Sequence, residues 1–214
     1  MAGPTTLDAR DGTGFHRNMS MAQDANGNYA PGHYLVDRFG VPIAPAGNFV
    51  TLVGSMTRQA NTTDYAYGQI VSDNVVAISV NDFCITPGGS ARIKHVKLCV
   101  QATGLNAPGS EVKFRGVLFG DTPSVVTDGA AFNWLWADRA KRLGWVDFEV
   151  PMVMGGSADC TEYMGVLSGG EEMAAQINNP ARTTLLVLLV TMSAWASPPP
   201  GAGLQIILTA GDQT

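Results

Sequence analysis

Six consecutive apolar residues, Leu185-Leu186-Val187-Leu188-Leu189-Val190, lie between Thr184 and Thr191, and no other feature constrains the fold as strongly. The run is far too short to cross a membrane as a helix, which takes about 20 residues. Its valines and flanking threonines favour a strand over a buried helix. A strand with no polar face must be covered on both sides, once by a core and once by another layer or another subunit. The spacing predicts this strand over residues 183–194. After the stiff loop Ser197-Pro198-Pro199-Pro200-Gly201, which cannot continue a ladder, a further strand apolar on both faces is expected over Leu204–Leu208.

Upstream, short segments rich in β-branched and aromatic residues are each bounded by turn residues, at 49–53, 69–71, 75–80, 91–101, 111–119 and 145–153. In the fourth of these, Ile93 and His95 fit one face while Val96, Leu98 and Val100 fit the other, so the phase slips near His95. One inserted residue, a β-bulge, produces such a slip, which makes His95 a structural position rather than a ligand. In the last, Val146, Phe148 and Val150 share a face opposite Trp145, Asp147 and Glu149. Two carboxylates at i and i+2 stand roughly 7 Å apart, a spacing some glycosidases use, but nothing supplies the rest of a site. They are expected on the solvated or subunit-facing side. Residues 130–142 are expected to form one or two helical turns, with Asp128 as N-cap and Gly144 beyond the C-terminus.

Many short strands with 25 glycines and 12 prolines to turn them indicate an all-β chain, an antiparallel β-sandwich. The first 46 residues differ. They hold few periodic apolar positions and many Gly, Asn, Asp and Pro, so they are read as an extended N-terminal arm preceding a sandwich at 47–214. The charged fraction of 14% leaves wide neutral surfaces, and a net charge of −5 argues against nucleic acid as a partner. Cys84, Cys99 and Cys160 are odd in number and lack C-x-x-C spacing, so they are expected as reduced, mostly buried thiols. No basic region followed by an apolar stretch opens the chain, so no secretory signal is expected.

Phosphate, zinc and serine-nucleophile motifs are absent from the sequence, and His16, His33 and His95 are little material for histidine chemistry. Asp24-Ala25-Asn26-Gly27-Asn28 opens like a calcium loop, but Tyr29 and Leu35 stand where glycine and glutamate are needed. No metal or cofactor is expected. The aromatic residues are more informative. Trp134, Trp136 and Trp145, with Tyr163 nearby, form a candidate platform for a protein interface or a sugar.

The order of motifs carries a resemblance. Pro87-Gly88-Gly89-Ser90 leads into a strand; an apolar strand closes on Phe119-Gly120-Asp121-Thr122-Pro123; then come Thr127-Asp128-Gly129-Ala130-Ala131-Phe132, Ala137-Asp138, Leu143 to Phe148 and a long hydrophobic strand. This set resembles the β-sandwich structural proteins of tailed bacteriophages over roughly residues 86–212, with a weaker echo in Thr6 to Gly12 and Val36 to Gly40. Trp134, Trp136 and the basic run Arg139 to Arg142 depart from the group, which has blander, more acidic residues there. The resemblance implies a jelly-roll and a non-enzymatic virion component, assembled in a host cytoplasm. It further implies a small oligomer, commonly a trimer, bound to the major capsid protein or other virion proteins. Tyr29, Tyr34, Phe39, Trp134 and Trp136 are the candidate interface anchors. The rival readings are a carbohydrate-binding or receptor-binding sandwich of a tail or spike, and a glycan-cleaving enzyme using Asp147 and Glu149.

Overall fold

The structure, a computed structural model, describes residues 49–61, 63–107, 109–152, 159–211 and 213, together with the backbone of four strands between residues 6 and 43. The chain divides into two units, 1–48 and 49–214.

In the first unit β1 (Thr6–Arg10), β2 (His16–Ser20), β3 (Tyr34–Val36) and β4 (Pro42–Ile43) pair antiparallel in chain order. Thr6 stands opposite Ser20, and Leu35 is shared between Met19 and Ile43. The arm reading assigned no strands here. Neighbouring segments can satisfy one another's backbone groups without an apolar periodicity to announce it.

The second unit is a β-sandwich. Its strands are β5 (Val50–Thr57), β6 (Ile70–Val71), β7 (Ile78–Val80), β8 (Ser90–Val100), β9 (Phe114–Phe119) and β10 (Arg142–Phe148). There follow β11 (Pro151–Met152), β12 (Thr161–Met164), β13 (Val166–Leu167), β14 (Met173–Gln176), β15 (Leu185–Thr191) and β16 (Gly203–Gly211). One sheet runs β13-β10-β9-β15-β6, with β7 also on β15; the other runs β11-β12-β8-β16-β5, with β14 also on β8. Taking β6 with β7 and β12 with β14, the sheets read β6-β15-β9-β10 and β12-β8-β16-β5. This interleaving is that of a jelly-roll.

The slip in β8 is a bulge. Thr209 stands opposite His95 and Ala210 opposite Ile93, so Lys94 is the extra residue. Its effect is to return Ala91 and Ile93 to the same inward face as Val96, Leu98 and Val100, while His95 is exposed. The bulge thus unites two apolar sets that strict alternation would have separated. In β16 the expectation of two apolar faces is corrected: Leu204, Ile206, Leu208 and Ala210 point inward, and Gln205, Ile207 and Thr209 are half-buried outside.

All seven residues of β15 are buried. Leu185, Val187 and Leu189 enter the main core, whereas Leu186, Leu188 and Val190 form a second cluster with Ile70, Ala77, Val117 and Phe119. The cover is a layer of the same chain, with Val126, Ala130 and Phe132 packed on it. It is held by backbone bonds: Ile70 N–H donates to the Ala130 carbonyl (2.9 Å), Gly129 N–H to that of Ile70 (2.9 Å) and Phe132 N–H to that of Gly68 (2.7 Å). Gly129 makes the turn that starts this cover, with φ at +71° and Ala130 N–H reaching back to the Thr127 carbonyl.

Asp128 does not cap a helix. Its Oδ1 accepts from Tyr65 Oη (2.6 Å) and from the Ser72 N–H (2.9 Å), and Oδ2 accepts from Asn61 Nδ2 (3.2 Å). Tyr65 in turn stacks on Trp195, with ring centres 5.6 Å apart. Arg58 is 1% exposed; it lies 5.2 Å from the Tyr65 ring centre and donates to the carbonyls of Gln59 and Asn61. Asp128 therefore fastens the cover to the loops that follow β5 and β6. The expected helix at 130–142 shrinks to a 3-10 turn at Trp136–Asp138. The preceding residues run extended because they pair with Gly68 to Ile70 rather than with themselves.

Candidate interface on the covered sheet

The cover ends in aromatic residues that lean on the outward face of β9 and β10. Pairing sets Trp145 opposite Val117 and Asp147 opposite Arg115. Arg115 grips Asp147 with two bonds, Nε to Oδ1 at 2.6 Å and Nη2 to Oδ2 at 3.0 Å, and lies 5.3 Å from the Trp145 ring centre. Asp147 holds the guanidinium more firmly protonated than usual. Trp134 meets Phe132 edge-on at 5.1 Å and Trp145 at 6.2 Å, while Arg142 stacks on it at 4.6 Å. Two residues further on, Arg139 stacks on Trp136 at 4.1 Å.

The turn that carries Trp136 is fastened by the buried Asp138. Its carboxylate accepts from the Ser124 N–H (3.0 Å) and Oγ (2.6 Å), and from Lys141 Nζ (2.9 Å). Burial alone would raise its pKa, but the bonds from Ser124 and Lys141 outweigh it and hold the group below the ordinary aspartate value. Under the platform a cavity of about 30 Å³, lined by Phe119, Phe132, Leu135, Leu188 and Arg142, has room for about one water.

Of the five anchors expected from the sequence, Trp134 and Trp136 are 51% and 77% exposed, Trp134 against Trp145 and Trp136 in the 3-10 turn that follows. Tyr29 and Phe39 lie outside the described residues, as do His33 and the Asp24–Asn28 segment; Tyr34 and His16 are described only as backbone of β3 and β2. Trp145 joins the platform at 37% exposure. Tyr163 does not: it is fully buried, edge-on to Phe114, with its hydroxyl donating to the Val112 carbonyl. It sits on the inward side of β12, where alternation places it.

Asp147 and Glu149 do not stand together on one strand as the alternation predicts. The first is committed to Arg115, and the second lies beyond β10, which stops at Phe148 and leaves Val150 exposed rather than on the apolar face with Val146 and Phe148. The stacking of arginines on tryptophans is what sequence reasoning missed, since it depends on which strands adjoin. Cys84 is buried, while Cys99 and Cys160 are only half-buried, on the outward side of the other sheet. Burial, with Glu162 beside it, pushes the Cys99 thiol up to about 11, far from the range of a nucleophile. Among the described residues no group of His, Cys, Asp and Glu could hold a metal, and no helix is long and apolar enough to cross a membrane. The chain matches no protein-family model, and no curated protein resembles it in sequence.

Proposed function

We propose that the protein is a non-enzymatic virion component of a tailed bacteriophage, which docks on the head lattice through the platform of Trp134, Trp136 and Trp145. The observation that carries the reading is Trp136, a large apolar ring 77% exposed, with Arg139 stacked on it. A large aromatic kept in water contributes little to folding and is well suited to anchor a partner. The jelly-roll topology and the resemblance carried by residues 86–212 agree with this role. The partner is the major capsid protein or another virion protein. Assembly as a small oligomer, a trimer by the same resemblance, makes release of any one copy slow through multivalency.

Sister subunits have no part in covering β15, because the chain covers that strand itself. In this reading residues 1–46 add contacts to a neighbouring subunit. A sugar-binding platform needs coplanar free rings, whereas Trp134 and Trp145 are inclined by 70° and each carries an arginine. Protein docking is therefore the better reading.

Co-sedimentation of the purified chain with empty heads of its parent particle tests it. Wild-type protein is expected in the pellet, and a Trp134→Ala/Trp136→Ala variant in the supernatant. A wild-type chain that stays dispersed beside assembled heads, or that turns over a small molecule, refutes the proposal.

A further inference from the structure

We infer that what docks on this platform is an acidic protein segment, with carboxylates spaced by apolar side chains. The inference rests on the docking reading above and specifies the chemistry of the partner.

Four cations belong to this region: Arg115, Arg139 and Arg142, each lying on a tryptophan, and Lys141 in the segment between the last two. Two are neutralised within the chain, Arg115 by Asp147 at 2.6 Å and Lys141 by Asp138 at 2.9 Å. Arg139 and Arg142 meet no carboxylate among the described residues. Each lies on an indole instead, at 4.1 Å from Trp136 and 4.6 Å from Trp134. Stacking holds a guanidinium by its face and leaves N–H groups at its edge, in the planar fork that matches a carboxylate. One of these groups on Arg139 donates to the Trp136 carbonyl at 3.0 Å, which fixes the fork further.

The rest of the molecule decides between anions. Its net charge is −5, so a polyanion such as nucleic acid is repelled by most of the surface. A short acidic segment meets only the two unanswered arginines. The exposed indoles on which they lie fit apolar side chains flanking the carboxylates.

The test is a tryptophan-fluorescence titration of the full chain with three probes: a blocked hexapeptide alternating glutamate and leucine, its glutamine counterpart, and a six-nucleotide oligothymidylate. The glutamate peptide is expected to bind about tenfold more tightly than the glutamine one and to weaken by about tenfold in R139Q/R142Q. R139Q alone alters an exposed side chain without touching the core, so its partial loss keeps the result free of folding effects. Equal affinity for the two peptides, no binding of either, or preference for oligothymidylate overturns the inference. Head co-sedimentation separates the two levels: attachment kept in R139Q/R142Q but lost in W134A/W136A leaves docking standing and removes the acidic partner, while attachment kept in both removes docking through this face.

Discussion

The two outward faces of the sandwich solve different problems. On the sheet containing β15, Leu186, Leu188 and Val190 are buried in a second apolar cluster, under residues 126–132. On the sheet containing β16, the outward positions include Thr51, Val53, Ser55, Lys97, Cys99, Gln205, Ile207 and Thr209, all half-buried or exposed, and no second cluster forms there among the described residues. A strand with no polar side forces a third layer, and that layer then offers new surface on which Trp134 and Trp136 stand. A strand that alternates needs no such layer. The candidate interface is thus a by-product of how one strand is covered.

Substitutions should separate the faces by size of effect. Leu188→Ala empties the space beneath the cover, and a loss of about 2–5 kcal/mol in urea unfolding is expected. A loss below 1 kcal/mol would mean that the cover does not pack as described. Asp138→Asn, which weakens the bonds to Ser124 and Lys141, should lose about 1–3 kcal/mol. Because the folded pKa of Asp138 lies below the ordinary aspartate value of 3.8, its contribution is complete above that value and disappears as pH falls through the lower folded one. Unfolding followed from pH 6 down to pH 2 should accordingly show a shallower acid limb in the asparagine variant; parallel limbs would argue against the clamp.

On the other sheet, Ile207→Ser removes an apolar side chain that is only half-buried, and less than about 1 kcal/mol should be lost. A loss matching that of Leu188→Ala would show that this face is covered too. Trp136→Ala should move stability least, within about 0.5 kcal/mol by thermal or urea unfolding, because the ring is mostly in water. A large drop there would make Trp136 a folding residue and remove the anchor from the interface.

The reading of the residues anticipated the covered strand, the bulge beside His95 and the inward set Val146 and Phe148, because each follows from alternation within a few neighbours. It placed Trp134 and Trp136 on a candidate surface but could not order Trp145 and Tyr163, which differ only in whether their strand position faces in or out. Asp128 looked like a helix cap because its sequence neighbours suit one. Its actual partners, Tyr65 and Ser72, are more than fifty residues away.

Local pattern was enough to establish an all-β chain, its turns and the need for a second cover over Leu186, Leu188 and Val190. Which segment provides that cover, and that it brings Arg139 and Arg142 onto tryptophan faces, was settled only by the three-dimensional arrangement. Alternation is a property of adjacent residues and can be read along the chain. Closure of one layer over another depends on loops whose partners lie far apart in sequence, and composition carries no record of those pairings.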